Sequence, residues 1–113
     1  MMDRTGDSLR DLSNSTLEFF KRFDVVPNVT DCARNLREEV GELIDATQDG
    51  ANHDHIAEEA ADVFVTAIGL AHAAGVDTDR LIQQVYTVIA KNDAKTHETH
   101  AHADGKIRRR QPK

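Results

Sequence analysis

Apolar side chains recur three and four residues apart along four successive stretches of this chain, and no other feature constrains its fold as much. The first stretch, Ser8 to Phe23, carries Leu9, Leu12, Thr16, Phe19, Phe20 and Phe23. The second starts near Thr30 or Asp31, either suited to cap a helix, and ends before Gly50. It aligns Ala33, Leu36, Val40, Leu43, Ile44 and Thr47. After the polar turn Gly50-Ala51-Asn52-His53, the third stretch carries Ile56, Ala60, Val63, Phe64, Ala67, Ile68, Leu70, Ala71 and Ala74. That stripe is wide, as expected of a central helix, and Gly75 is placed to end it. The fourth starts near Asp77 or Thr78 and carries Leu81, Ile82, Val85, Tyr86, Val88 and Ile89. Two prolines and six glycines leave these stretches almost uninterrupted. The pattern predicts an all-α four-helix bundle whose second and third helices, joined by a short turn, run antiparallel.

Beyond Lys95 the apolar period stops. We therefore divide the chain into a helical domain, residues 1–96, and a C-terminal tail, residues 97–113, polar and His-rich, then basic. With four Phe, one Tyr and no Trp, the core must be built from Ala, Val, Leu and Ile. Wide apolar faces on so few helices predict further burial between subunits, in a homodimer or a homotetramer.

Residues 1–105 hold all 20 acidic side chains and nine of the 14 Lys and Arg; residues 106–113 hold the other five. Such a body repels polyanions, which argues against nucleic-acid binding. A phosphate substrate here requires a bridging cation. The single cysteine, Cys32, excludes an internal disulfide and a Cys-based zinc site. The longest mostly apolar stretch, Ala60 to Ala74, contains Asp62 and His72 and is too short to span a bilayer. No apolar N-terminal run resembles a signal peptide, so the expectation is a cytoplasmic protein with no membrane partner.

The chemistry concentrates in two runs, Glu38-Glu39-Val40-Gly41-Glu42 and Glu59-Ala60-Ala61-Asp62. Residues three or four apart share a helix face, so Glu39 pairs with Glu42 and Glu59 with Asp62. Glu39 sits about 60° from Leu36 and about 40° from Leu43, at the border of the apolar stripe. Counted from Asn52, Glu39 and Glu42 lie 10–13 residues before the turn, and Glu59 and Asp62 lie 7–10 after it. In an antiparallel hairpin the pairs meet at similar height. Four converging carboxylates repel one another unless a cation joins them or some protonate. An all-oxygen set suits Mg²⁺ or Mn²⁺ rather than zinc. A single Glu-Glu-x-x-Glu run is ordinarily a solvated helix face; two sets flanking one short turn, each beside an apolar stripe, argue otherwise.

The arrangement E-E-x-x-E, a connection of this length, then E-x-x-D, resembles the MazG-type all-α nucleoside triphosphate pyrophosphohydrolases. That superfamily includes dimeric dUTPases, dCTP pyrophosphatases and phosphoribosyl-ATP pyrophosphohydrolases. The resemblance spans roughly Leu17 to Lys106. It implies Mg²⁺-dependent hydrolysis of (deoxy)nucleoside triphosphates to monophosphate and pyrophosphate, in the service of nucleotide-pool house-cleaning. It implies that Glu39, Glu42, Glu59 and Asp62 hold the metal, and that Glu38 orients or deprotonates the attacking water. Lys91, Asn92 and Lys95, with Lys106, are implied phosphate contacts. Phe19 and Phe23, with Phe20, precede the metal helix, where the family often places base-contacting side chains. A phosphoribosyl-ATP hydrolase is the alternative that shares the metal motif. A non-enzymatic helical interaction module would need neither carboxylate pair. A ferritin-like di-metal oxidase expects Glu-x-x-His, a spacing this chain lacks. His53 and His55 with Glu58 or Glu59, and the trio His97, His100 and His102, offer metal donors without a recognised helical ligand pair. His72 reads as a helix histidine with its bonds satisfied.

Overall fold

The computed structural model of this chain describes residues 8–48, 50 and 52–111. Ala51 of the expected turn and residues 112–113 of the expected tail lie outside the described residues. Four helices follow in order: α1 Ser8–Arg22, α2 Val29–Gln48, α3 His53–Ala73 and α4 Thr78–Asp93. A short hairpin, β1 His100–Ala103 and β2 Lys106–Arg109, comes last. The chain forms two compact units, one ending at Ile82 and one starting at Gln83, so the first turn of α4 belongs with α1 to α3.

Local chemistry sets the helix ends. Asn28, not Thr30 or Asp31, starts α2: its side-chain oxygen accepts from the Asp31 backbone N–H at 2.9 Å. Asp31 thereby falls in the first turn, where its negative charge complements the exposed N–H groups. Hydrogen bonds from Asn28 and Arg34 hold its carboxyl below the usual range. Asn52 caps α3 through His55, and Asp77 caps α4 through Arg80 at 2.8 Å. At the end of α3, Gly75 adopts φ +94°, so that its N–H reaches His72 and that of Val76 reaches Ala71. The end of α1 makes the same pair of bonds with Asp24 at the left-handed position, φ +55°.

In the first unit α3 packs against both α2 and α1. The antiparallel sense of α2 and α3 is visible in their shared cavities. Asn35 lines one with Thr66, whereas Ala46 lines another with His55. α1 approaches α3 closely at Gly69, where an added Cβ would lie 3.2 Å from the Phe20 ring. Ser13, only 1% exposed, bridges the His72 ring at 3.0 Å and the Thr78 hydroxyl at 2.8 Å. The Val76 carbonyl can only accept, so His72 Nδ1 donates to it at 2.9 Å. In the neutral ring Nε2 then accepts from Ser13, and both ring nitrogens are satisfied.

The buried set among the described residues is small: Cys32, Ser13, Thr16, Gly69 and Thr78. Large apolar side chains stay outside, among them Phe64 at 61% exposure, Ile44 and Val40.

In the second unit, residues 97–111 are ordered as turn and hairpin within the segment read as a tail. β1 and β2 pair antiparallel, His100 with Arg109 and Ala103 with Lys106. Asp104 and Gly105 make the turn at φ +53° and +75°, the conformation Asp-Gly favours between strands. No described helix is long and apolar enough to cross a membrane.

Candidate metal centre

Helical spacing brings the carboxylates together. Glu39 and Glu42 lie on one face of α2, and Glu59 rises opposite them on α3. One carboxylate oxygen from each of these three falls within 4.8 Å of the others. Asp62 stands outside that trio, but its charge acts on both Glu39 and Glu59. Glu38, next along α2, is exposed.

The packing that joins α2 to α3 strips water from the acids. The Glu59 side chain is 12% exposed. Glu39 Oε2 and Glu59 Oε2 are buried with no hydrogen-bond partner among the described residues. Burial pushes the Glu39 carboxyl above its ordinary range, and Glu42, Asp62 and Glu59 push it further. Burial likewise raises Glu59, with Glu42 and Asp62 adding to the effect and His55 opposing it. His55 Nδ1 lies 3.9 Å from Glu59 Oε1, on an imidazole that is 56% exposed.

Two orphaned carboxylate oxygens beside a third carboxyl form a donor set for a hard divalent cation, all oxygen and all acidic. Among the described residues no other three side chains of His, Cys, Asp and Glu bring their ligand atoms this close together. His97, His100 and His102 therefore do not form a second such centre. Next to the trio, a cleft of about 310 Å³ is lined by Glu42, Asp45, Asn52, His55 and Glu59. Asp45 had no place in the sequence reading, although it lies three residues after Glu42 and so on the same face.

The other expected contacts fall in separate places. Lys91, Asn92, Lys95 and Lys106 all belong to the second unit. There Asn92 and Lys95 wall a cavity of about 580 Å³ with His97, His100, His102 and Ile107. Lys95 Nζ donates to Asn92 Oδ1 at 2.9 Å, which holds the two as a pair. Lys91 and Lys95 border a further hollow with His100 and Arg109. Lys106 opens β2, exposed. In the first unit, Phe19 and Phe23 pack ring to ring at 5.2 Å, and both are exposed. Phe19 lines a small cavity together with Phe20; Phe23 is not among its lining residues.

No curated protein and no solved structure matches the chain. The family model described as phosphoribosyl-ATP pyrophosphohydrolase matches residues 13–88, which takes in α2, α3 and every carboxylate of the centre. The chain belongs to the phosphoribosyl-ATP pyrophosphohydrolase family, within the MazG-like nucleotide pyrophosphohydrolase superfamily.

Proposed function

We propose that this chain hydrolyses a nucleoside triphosphate to monophosphate and pyrophosphate, with Mg²⁺ held by Glu39, Glu42, Glu59 and Asp62. The observation that carries the reading is the pair of buried, unpartnered carboxylate oxygens on Glu39 and Glu59. Such oxygens are costly to bury and stay ionised only beside a positive charge. A bound divalent cation supplies charge neutralisation at the phosphate oxygens, worth several kcal/mol of transition-state stabilisation.

The chain's own residues then do the rest. Glu38 orients a water oxygen toward the α-phosphorus and takes up its proton. A bond forms from that oxygen to phosphorus, and the bond to the bridging oxygen of the β-phosphate breaks. Pyrophosphate leaves with the electron pair. Lys91, Asn92, Lys95 and Lys106 hold the phosphates, and an amide and ammonium already paired as in Asn92 and Lys95 offer both donors without reordering. The apolar side chains left exposed on α2 and α3 support a homodimer or homotetramer as the working form.

Hydrolysis in ¹⁸O-labelled water tests the bond choice. Label in the monophosphate is expected; label confined to inorganic phosphate would overturn it. Phosphoribosyl-ATP is the second reading, favoured by the family match. Comparing kcat/KM for phosphoribosyl-ATP with that for each common and modified triphosphate separates the two.

A further inference from the structure

The chain is acidic, with a net charge of -6, but the charge is unevenly spread. Residues 83–111 of the second unit carry six Lys and Arg against three acids, Asp93, Glu98 and Asp104. The hairpin sorts its cations by face. Side chains alternate along a strand and share a face with their cross-strand partners. His100 pairs with Arg109 and His102 with Ile107, so these four lie on one face and Arg108 on the other. Arg108 and Arg110 are tied to the backbone: their Nε groups donate to the Ala103 carbonyl at 3.3 Å and the His97 carbonyl at 2.6 Å.

Arg109 makes no hydrogen bond or ion pair among the described residues. It lines a hollow of about 330 Å³ with Lys91, Ala94, Lys95, Thr99 and His100. Lys91, in the last turn of α4, is unpaired in the same sense. Lys95 donates to the Asn92 amide oxygen, a neutral partner that brings no negative charge. None of the three acids lines this hollow, or the cavity of about 580 Å³ that shares Lys95 and His100 with it. Lysines at a helix end ordinarily complement its carbonyls, but Arg109 comes from a strand and has no such part. Three cations brought together without an acid repel one another, and an anion among them relieves the repulsion. Ammonium and guanidinium groups only donate, so the hollow selects negative charge however these side chains turn.

We propose that this hollow is a seat for a condensed phosphate, two or more linked phosphoryl groups, and that it works without a divalent cation. One phosphoryl group carries about -1.5 to -2 of charge, so a linked pair matches three cations better than a single group does. Arg109 is the added anchor: its planar fork takes two oxygens of one phosphoryl group, while Lys91 and Lys95 take the next. The tail of a nucleoside triphosphate and free pyrophosphate present this same group. The inference deepens the function proposed above and rests on its reading of Lys91 and Lys95 as phosphate contacts. The carboxylate centre needs a metal to meet a phosphate; the second unit does not.

Isothermal titration of the full chain, stripped of divalent cations, tests the seat apart from turnover. Pyrophosphate and tripolyphosphate are expected to bind at least about tenfold tighter than orthophosphate or a nucleoside monophosphate. A nucleoside triphosphate should displace pyrophosphate under the same conditions, and added salt should weaken both. Arg109→Gln should weaken pyrophosphate binding about tenfold. Arg108→Gln, the same change of formal charge on the other face, should weaken it less than about threefold. No pyrophosphate binding without a divalent cation, equal losses in the two variants, or a triphosphate that fails to displace pyrophosphate would overturn the proposal. A chain that binds in the expected pattern but hydrolyses no triphosphate would refute the function proposed above and leave the seat standing.

Discussion

Burial makes the ionised forms of Glu39 and Glu59 costly to the metal-free chain. Glu39 and Glu59 titrate above the ordinary glutamate range because burial and neighbouring acids penalise their charge. The folded state thus holds protons that the unfolded chain would release. Stability from these groups is fully present below the ordinary glutamate pKa and is lost as pH rises through the elevated folded values. The metal-free protein should therefore show a falling Tm as pH climbs from about 4 through the mildly acidic range, with Mg²⁺ flattening the fall. A metal-free Tm that rises steadily over that interval would contradict the assignment. Glu39→Gln and Glu59→Gln should raise the metal-free Tm at neutral pH while reducing kcat at least about 100-fold. Glu38→Gln should behave differently: Mg²⁺ affinity held, turnover lost. Retention of near-normal turnover by the Glu39, Glu42, Glu59 and Asp62 variants alike would place the metal elsewhere.

Each helix end is an independent stability experiment. Asp24 occupies a left-handed conformation that L side chains enter at a cost, and glycine does not pay it. Asp24→Gly should stabilise the chain by about 0.5–1 kcal/mol in urea unfolding, and a loss of stability would show that the Asp side chain matters in some other way. Asn28→Ala removes the acceptor that starts α2 and should cost about 1 kcal/mol. Ser13 joins α1 to the end of α3 and the start of α4. Ser13→Ala leaves the His72 ring nitrogen without its hydroxyl donor and should cost about 1–3 kcal/mol. If the variant unfolds at the wild-type urea midpoint, that network contributes nothing net.

At the scale of the molecule, the described residues bury few large side chains. Phe64 on α3 and Ile44 on α2 are more than half exposed, and Val40 is exposed with them. An apolar surface on the central pair is what a second copy would cover. Sedimentation at micromolar concentration should give a dimer or tetramer, and Phe64→Asp should shift it toward monomer with a lower Tm. A wild-type chain that sediments as a stable monomer would remove the proposed assembly.

Much of this was legible along the chain, because helices are governed by near neighbours. Apolar periods located all four, and Asn52, Asp77 and Gly75 stood where the helix ends proved to be. The three- and four-residue spacing put the paired acids on common faces before any packing was known. The hairpin was missed: its strands are four residues long and rich in His and Arg, and the Asp-Gly turn at 104–105 was the one signal available. Three things depended on how separate helices meet. The first is that Glu39 and Glu59 each lose water from an oxygen, and the second is that Asp62 stands outside the close trio. The third is that Asn35 and Thr66 share a cavity with Cys32. Local periodicity specifies which face a side chain takes. The axial offset and rotation of one helix against another come from side-chain packing across the seam, and those set which groups touch and which are shut away from water.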